Sequence, residues 1–451
     1  MANGIGENIS RSFSFWGMVG AVMLALKLKE RMDDYQEIAT EEGRVALPRT
    51  PHEDSEEAAL FRDGDDDVTL HEVDTTLGAR PKRKRSKDCC VCCGLRCGLF
   101  WKAFGIVCLI VLAWQTIRLI IWAVTPTPNG LENMPVYSSS LGCLDADFLY
   151  QGDKNTYVVP IDPSRLDHSI DFSGAAVGTL VIAEATHDAE NVRFEMTLRT
   201  NDKALLSDVS VVHPSHEDIE EGLSHSRIKL NTPNVLGSAC MRFDTTLYIP
   251  PKIKKLHVQA HSVAHISFDA QSKLNLDKLF ITMYNNDKKN MLLPNPSVVA
   301  GEMTLEMTRG WLVGEVNLVN ETVISTQRGD ATTNLRVLPL SLDDPPTPAT
   351  LQTTTGAGRT DLFYVSDHGS PHRPISAIHR SSRNGDLYLT YKDAEFSGTV
   401  KLDAKSYTTT GLQGSPHGSN QDIEPPWHGD KNGKDRLTIQ SLNGWVGLYF
   451  Q

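Results

Sequence analysis

The sequence predicts a mainly β protein in which repeated short strands follow one transmembrane helix and a disordered acidic tail. Three observations predict this. Segments beyond residue 130 alternate apolar and polar side chains with a period of two, as strands do. One run, residues 103–124, is apolar enough and long enough to cross a bilayer. Residues 32–80 hold 15 acidic and four basic residues without apolar periodicity, a composition that cannot bury a core.

The charge balance of the whole chain narrows the choice of partners. Its 44 basic and 56 acidic residues give a formal net charge of -12, the wrong sign for binding nucleic acid phosphates. We therefore expect no nucleic acid partner. The sequence also contains no P-loop, no HExxH zinc motif and no GxSxG nucleophile motif. We accordingly expect no cofactor, no catalytic residue and no metal ligand.

The N-terminal part, residues 1–81, is predicted to be a disordered acidic tail in the cytosol. A shorter apolar run at 15–26 lies inside it, and its length is too small to span a membrane. Two interpretations of residues 1–31 stay open. They are either an upstream extension of a chain that starts naturally at Met32, or a helix that lies on the membrane surface.

Residues 82–102 form a basic, cysteine-rich segment directly before the long apolar run. Thiols beside a membrane in a reducing compartment are typical S-acylation sites. We therefore predict lipidation at Cys89, Cys90, Cys92, Cys93 and Cys97. Unmodified thiols and a zinc site are the alternatives, although no second Cys or His pair in the tail completes a zinc finger. The basic side chains are expected to contact anionic lipids of the inner leaflet.

The apolar run at 103–124 is predicted to be the single transmembrane helix. As a helix its 22 residues rise about 33 Å, enough for a hydrocarbon core of roughly 30 Å. Seven Lys and Arg residues lie between 82 and 102, whereas none lies between 125 and 145. The positive-inside rule then places the N-terminus in the cytosol and the C-terminal domain outside the cell or in a secretory lumen, with the plasma membrane favoured.

The rest of the chain is predicted to be a stalk, 125–142, and an all-β ectodomain, 143–451. A unit of strand, small polar turn and strand recurs in LHVQAHSVAHISFDA, MTLEMTRGWLVGEVNLV and LTIQSLNGWVGLYF. Units that stack on their neighbours indicate a β-solenoid, whereas a β-sandwich shows the same alternation and stays open as the alternative. Two long polar loops, 341–361 and 411–435, interrupt the strands.

The turns of these units carry a family resemblance. The segments TRGWLVGEV, RNGDLYLTY and LNGWVGLYF resemble the turn-punctuated strands of the bacterial adhesin-like domain and its fungal relatives. The order of acidic tail, basic Cys-rich segment, span and β domain is similar to that of fungal single-pass membrane proteins. The resemblance implies contact with a surface, and it supplies no catalytic residues.

Four residues of the ectodomain are candidate sites. Cys143 and Cys240 are the only cysteines after the span, so we expect them to form a disulfide in an oxidising lumen. Asn320 begins the sequon Asn-Glu-Thr and is the expected glycosylation site. Trp427, an aromatic residue in the polar loop 411–435, is a candidate ligand contact, with docking onto its own domain as the alternative.

Three histidines recur every four residues, at 257, 261 and 265, which on a helix would form one metal-binding face. This segment alternates as a strand and a turn, so we expect His257, His261 and His265 to be solvated rather than to bind a metal. The histidines at 213, 216 and 225 lie among acidic residues and are likewise expected on a polar surface.

Two function classes follow from these features. The first is a single-pass membrane protein that presents a non-enzymatic, adhesin-like ectodomain, with the bilayer and a cell-wall polysaccharide or surface protein as partners. The alternative is a membrane-tethered carbohydrate-active enzyme on a β-solenoid, for which two carboxylates about 5 to 10 Å apart in a groove are diagnostic. The first is more economical, because no catalytic motif accompanies the strands.

Overall fold

The computed structural model describes residues 15–36, 91–92, 95–124, 129–152, 155–235, 237–340, 346–366, 372–414 and 425–450. The chain divides into two compact units, Met1–Thr127 and Pro128–Gln451. Most of the predicted acidic tail, together with Cys89, Cys90 and Cys93, lies outside the described residues.

Among its described residues, the first unit contains two helices and one short antiparallel pair of strands: α1 (Phe15–Gln36), β1 (Val91–Cys92), β2 (Leu95–Arg96) and α2 (Cys97–Val124). α1 packs on α2 through Val19, Ala103 and Val107, all nearly inaccessible to solvent. The segment Phe100–Ile121 of α2 has a mean hydropathy of 2.2 and is long and apolar enough to cross a membrane. Most of its large apolar side chains are exposed, as expected for contact with lipid.

The second unit consists mainly of strands. In chain order these are β3 (Phe148–Leu149), β4 (Asn155–Val159), β5 (Asp167–Ser173), β6 (Val177–Glu184), β7 (Val192–Thr200), β8 (Ser210–Val212), β9 (Arg227–Asn231), β10 (Met241–Ile249), β11 (Lys255–Ala260), β12 (Ala264–Phe268), β13 (Leu274–Met283), β14 (Met291–Leu293), β15 (Val298–Met307), β16 (Trp311–Leu318), β17 (Glu321–Thr326), β18 (Thr332–Pro339), β19 (Ala349–Thr355), β20 (Arg359–Val365), β21 (Ile375–Ser381), β22 (Asp386–Asp393), β23 (Gly398–Thr410), β24 (Trp427–His428) and β25 (Asp435–Tyr449). The helical elements are α3 (His216–Glu220) and three 3₁₀ turns, Ser139–Leu141, Tyr150–Gly152 and Lys203–Asp208.

From β11 onward the chain alternates between two sheets, which we name sheet A and sheet B. The odd-numbered strands β11 to β21 pair in parallel with one another as sheet A. The even-numbered strands β12 to β22 pair in the same way as sheet B. The long strands β25 and β23 belong to both sheets and close the C-terminal end. One strand of each sheet thus makes one coil of a β-solenoid, so the mainly β prediction is confirmed in its solenoid form.

The sequence repeats coincide with these coils. LHVQAHSVAHISFDA contains β11 except its first residue and all of β12, and MTLEMTRGWLVGEVNLV contains the second half of β15 and all of β16. LTIQSLNGWVGLYF lies almost entirely within β25, whose two halves join sheets A and B. A single unit cannot bury its apolar side, because the residues that cover it belong to the coils before and after.

The strands before β11 extend both sheets towards the N-terminal end. β5 and β9 continue sheet A, while β6, β10 and β7 continue sheet B. There, β3 and β4 pair antiparallel with β7, and β8 pairs antiparallel with β9. These antiparallel strands cap sheet edges that would otherwise offer unpaired backbone groups to another chain.

Alternate side chains of each strand point between the two sheets. In β11, Leu256, Val258 and Ala260 are buried, whereas Lys255 and His257 are only half-buried on the outer side. The parallel register stacks similar residues across strands, so that Val258 lies opposite Ile281. The inner positions therefore form one continuous apolar core along the solenoid.

Two glycines of TRGWLVGEV, Gly310 in the turn before β16 and Gly314 within β16, allow one coil to sit closely on the one before it. Gly310 has φ +128°, and a Cβ at this position would lie 2.3 Å from the carbonyl oxygen of Asn290. Gly314 has φ +149°, and a Cβ would lie 2.1 Å from the carbonyl oxygen of Pro294. Any side chain at either position would collide with the backbone of the preceding coil.

Residues 129–142, the described part of the predicted stalk, are bound to sheet B, and we name them the strap. At one end, the Asn334 side-chain amide donates a hydrogen bond to the Asn129 carbonyl oxygen at 3.3 Å. At the other end, the Tyr137 hydroxyl lies 2.8 Å from that of Ser267. The strap therefore runs from β18 to β12 along the outer side of sheet B, and it belongs to the β unit rather than acting as a free spacer.

A buried arginine fastens the strap. Arg242, 1% exposed, donates to the carbonyl oxygens of Ser138 (2.8 Å) and Gly142 (3.1 Å) and is neutralised by Asp244 at 2.8 Å. Ser138 has φ +65°, a left-handed conformation that costs about 1–3 kcal/mol outside glycine. The hydrogen bonds from Arg242, together with that from the Ser138 amide to His265, hold this residue in place.

Candidate binding surface

The outer faces of the two sheets differ in what lies on them. The strap covers part of the outer face of sheet B, where it buries His265 completely. On the outer face of sheet A, within the part of the chain that the structure describes, side-chain contacts join neighbouring strands, as between Lys278 and Glu302 at 2.6 Å. This face is flat, because parallel strands in register hold their outer side chains in straight rows. Sheet A therefore offers the open surface.

Two ring pairs stand side by side on this face. His257 of β11 packs on Phe280 of β13 with ring centroids 4.6 Å apart, and His261 stacks on Tyr284 at 4.4 Å with ring planes 9° apart. Tyr284 is 38% exposed, and the His261 side chain is 47% exposed. The pairs lie four residues apart along their strands, about 13 Å at 3.3 Å per residue. Two aromatic platforms, one half-buried at Phe280 and one exposed at Tyr284, are thus held in line.

Beside these rings, the next strand of sheet A, β15, contributes shorter side chains. Thr304 of β15 lies opposite Phe280, and the Thr308 amide donates to the Met283 carbonyl oxygen at 3.2 Å, which places Thr308 beside Tyr284. Threonine is much shorter than phenylalanine or tyrosine, so the ring sides that face β15 stand above two short side chains, with the longer Glu306 between them. We name this arrangement, His257, His261, Phe280, Tyr284, Thr304 and Thr308, the aromatic step.

The charged side chains around the aromatic step pair with one another. Lys278 contacts Glu302, the Arg328 guanidinium lies 3.5 Å from the Glu306 carboxylate, and Lys229 lies 3.2 Å from Asp171. Exposed pairs of this kind contribute roughly 0–1 kcal/mol to stability. Their effect on the surface is to cancel local charge, so the step presents rings, hydroxyls and paired ions without a net field.

The histidines do not share one environment, and the expectation that all three are solvated is wrong for His265. This residue lies under the strap, where Nδ1 accepts from the Ser138 amide and Nε2 lies 2.8 Å from the Lys289 carbonyl oxygen. Burial lowers the pKa of His265 to about 4. Burial also lowers the pKa of His257, so its ring is neutral at neutral pH and packs on Phe280 as an aromatic group.

The histidines of the acidic loop lie at the surface. His216 begins α3, and its Nδ1 lies 3.5 Å from the Glu220 carboxylate, with both side chains about 70% exposed. The His225 ring contacts the Arg165 guanidinium at 2.6 Å. In the described residues, no group of three His, Cys, Asp or Glu side chains is arranged to hold a metal ion.

Trp427 lies in β24, which pairs antiparallel with the start of β23. Its backbone exchanges two hydrogen bonds with Gln413, and Gly414 sits against its ring. The side chain is half-buried, with the Lys431 ammonium 5.5 Å from the ring centroid. The structure thus places Trp427 on its own domain, as the alternative expected, with the side chain half-buried. Its role as a ligand contact remains a prediction.

The other candidate residues are placed as follows. Cys143 and Cys240 form a disulfide with Cα atoms 5.9 Å apart, directly after the strap. Asn320 is exposed in the turn between β16 and β17, within reach of a glycosylating enzyme. Cys92 lies in β1 and Cys97 is the first residue of α2, and their acylation remains a prediction.

A pocket of about 180 Å³ lies where sheet B strands end and sheet A strands begin. Ile249, Ile253 and Leu276 form its apolar floor, and Glu184 is the one acidic residue in its lining. The Glu184 carboxylate already accepts a hydrogen bond from the Lys273 amide at 3.1 Å. A glycosidase needs two carboxylates across its cleft, and this pocket does not supply them.

The aromatic step was not found from the sequence, although a signal existed. His257 and Phe280 are separated by 23 residues (280 − 257), and so are His261 and Tyr284 (284 − 261). Two ring residues that are separated by the length of one coil lie on adjacent strands of the same sheet. The coil length is visible only once the repeat boundaries are known, because the loops between strands vary in length.

Comparison with known proteins gives similar solved structures and no family. No family model matches the chain, and no curated protein matches it. A structure assigned as a cell adhesion protein from Clostridium sporogenes is 7% identical, with 66% of this chain and 99% of that chain aligned at a TM-score of 0.18. A structure assigned as an adhesin from Bacteroides fragilis is 8% identical, with 67% and 97% aligned at a TM-score of 0.26. Likeness at these TM-scores transfers no function.

Proposed function

We propose that this chain is a membrane-anchored, non-enzymatic surface-contact protein that binds its partner with the outer face of sheet A. One observation carries the proposal: sheet A presents a flat open face with two aromatic platforms, one exposed at Tyr284 and one half-buried at Phe280, whereas the strap occupies part of the equivalent face of sheet B. Flat faces suit extended partners such as wall polymers or other surfaces, while enzymes enclose their substrates in clefts. The repeats resemble those of adhesin-like domains, and the surface contact that this resemblance implies agrees with an open sheet face.

The anchor is the second part of the proposal. The apolar segment Phe100–Ile121 supports a single span, and the basic residues before it support a cytosolic N-terminus with the β unit outside, at the plasma membrane. Acylation of the cysteines between 89 and 97 would strengthen the attachment. In sealed vesicles from the endoplasmic reticulum, where the β unit would face the lumen, protease added outside should spare the β unit, and removal of the Asn320 glycan should lower the mass of the chain. Digestion of the β unit from outside would overturn the orientation.

The binding face is tested by adhesion of cells that display the full chain to a surface coated with wall polysaccharide. Thr304→Arg, Val323→Arg and Gln352→Arg together place three long cations in one outer row of sheet A, on three neighbouring strands. We expect this triple variant to lose most of its adhesion, because the added side chains occupy the face.

The matched control places three arginines at exposed turns away from sheet A, as Thr186→Arg, Ala270→Arg and Gln271→Arg. It changes the net charge by the same amount and should adhere like the parent. If the two triple variants adhere equally well, sheet A is not the binding face. Release of soluble sugar from the coating by the parent protein would favour the enzyme class instead.

A further inference from the structure

The aromatic step has a shape and a chemistry that select one class of ligand. We propose that it binds a neutral glycan chain that lies along β13, with one sugar ring against Phe280 and another against Tyr284. This inference rests on the proposed function and names the ligand of the same face.

The first argument is shape. Phe280 lies on β13 and Tyr284 directly follows this strand, and they face two shorter side chains, Thr304 of β15 and Thr308 directly after β15. A ring that stands on edge beside a shorter side chain exposes one of its faces. A flat ligand that lies on the shorter side chain can pack against that face. A pyranose has such a flat, weakly apolar side of C–H groups, which packs on the electron-rich face of an aromatic ring. The histidines behind the rings, His257 and His261, fix their orientation by stacking.

The second argument is the distribution of hydrogen-bonding groups. Between the two rings of β13 lies Thr282, and at the foot of the step lie Thr304, Glu306 and Thr308, all outward-facing and only half-buried. Hydroxyl and carboxylate oxygens spaced along a strand can bond the hydroxyls of a sugar chain that runs parallel to it. A specific site for a small ligand usually combines apolar surfaces with a small number of polar groups directed at the ligand.

The third argument is charge. The ions nearest the step are already paired: Lys278 with Glu302, and Arg328 with Glu306. A polyanionic ligand gains little from a surface without net charge, and it would have to break these pairs to be bound by the cations. Charge complementarity therefore favours a neutral glycan over an acidic polysaccharide or a nucleic acid.

The test measures binding of the full chain in lipid nanodiscs to two neutral probes, a β-1,3-glucan hexasaccharide and chitohexaose, by titration calorimetry. We expect saturable binding to at least one probe. Phe280→Ala and Tyr284→Ala should each weaken it at least tenfold, whereas Tyr284→Phe should retain most of it. Tyr248→Ala, which removes a tyrosine from the outer face of sheet B under Arg193, is the matched control and should bind like the parent.

A filled step tests the shape without removing a ring. Thr304→Trp keeps Phe280 and Tyr284 but replaces the short side chain opposite Phe280 by a large one. It should therefore abolish binding of the hexasaccharides. Unchanged affinity in Thr304→Trp, or no saturable binding of either neutral probe to the parent chain, overturns the glycan proposal.

Failure of this inference can be told from failure of the proposed function. If the parent adheres through sheet A but binds only polygalacturonate or a protein surface, the surface-contact function stands and the neutral-glycan inference falls. If the three-arginine variant of sheet A adheres like the parent, the proposed function itself fails. A thermal melt of each variant confirms that it is folded before its binding is compared.

Discussion

The interior of the solenoid is filled by different chemistry at its two ends. In the N-terminal coils, Phe172, Phe194 and Phe243 are fully buried, and the rings of Phe172 and Phe243 stack at 4.9 Å with planes 8° apart. In the coils from β19 to β22 the same inward positions hold Thr353 and His379, in register with each other. One backbone geometry thus accommodates both an apolar and a polar interior.

The polar interior is stabilised by hydrogen bonds in place of part of the apolar packing. His379 Nδ1 lies 2.7 Å from the Thr353 hydroxyl, and Nε2 lies 3.0 Å from the Tyr364 hydroxyl. Tyr364 stacks on Tyr391 with ring centroids 4.1 Å apart. A buried polar group is tolerated only when it is hydrogen-bonded, so these coils depend on partners at fixed distances. The comparison shows that the stacking of coils determines the backbone, whereas the side chains that fill the interior differ from coil to coil.

The largest effect is expected for truncation of the apolar end. Phe243→Ala removes a fully buried ring that stacks on Phe172, and the cavity left behind should lower the free energy of unfolding by about 3–5 kcal/mol. Urea denaturation followed by circular dichroism measures this. Phe243→Leu keeps most of the volume and should lose clearly less. A loss below about 1 kcal/mol for the alanine variant would mean that the apolar end is loosely packed.

The second effect is a dependence of stability on pH that both ends share. Burial lowers the pKa of His379 and of His168 to about 3, against about 6.5 in the unfolded chain. Between these values the unfolded state binds a proton that the folded state does not, so stability is full above pH 6.5 and falls as the pH is lowered towards 3. His379→Gln or His168→Gln should flatten this slope by about 1.4 kcal/mol per pH unit between pH 6 and 4.

Unfolding free energies at several pH values check this second effect. The surface variant His216→Gln is a suitable control for the substitution itself, since this side chain is exposed and its replacement leaves the core intact. A slope that is identical in the parent and in both buried-histidine variants would show that these rings are accessible to protons in the folded protein.

A smaller effect is expected for the hydrogen bond between the two buried rings of the polar end. Tyr364→Phe keeps the stacking on Tyr391 but leaves His379 Nε2 without its hydroxyl partner. The loss should be about 1–3 kcal/mol, the cost of an unsatisfied buried polar atom. Because the phenylalanine ring fills the same space, a melt and a urea titration at pH 7.5 isolate this cost. No change in stability would show that the bond is replaced by water.

The smallest effect concerns a pair of hydroxyls. Thr355 and Thr360 lie 2.7 Å apart and are both buried. Either Thr355→Val or Thr360→Val alone leaves one hydroxyl unpaired and should cost about 1 kcal/mol or more. The double variant removes both polar groups at nearly constant volume and should be close to neutral. A double-mutant cycle measures the difference, and strictly additive losses would contradict the pairing.

Much of the fold follows from local sequence. The alternation in Lys255 to Ala260 and the unit MTLEMTRGWLVGEVNLV predicted strands and coils, because inward positions are apolar and turn glycines such as Gly310 allow close stacking. The apolar run predicted at 103–124 lies within α2, which begins earlier, at Cys97. Local patterns suffice here because each pattern is satisfied by a neighbouring coil.

Contacts between distant segments could not be predicted in this way. The strap segment LENMPVYSSS has no apolar period, and its position depends on Arg242 and His265, more than 100 residues further along the chain. The aromatic step depends on the register between β11, β13 and β15, which the sequence does not state. His265 was expected in solvent, because nothing near it in the sequence reveals that Ser138 covers it.

The strap determines how a mechanical load enters the β unit. A pull on the backbone at Asn129 acts first on single hydrogen bonds, which can open one after another, and then on the contacts that Arg242 makes with Ser138. Once peeled, residues 129–142 would form a connection up to about 48 Å long at 3.4 Å per residue. There the covalent link between Cys143 and Cys240 stops the extension and passes the force directly to the start of β10. The 97-residue loop that this link closes, from β3 to β9, is therefore spared the tension.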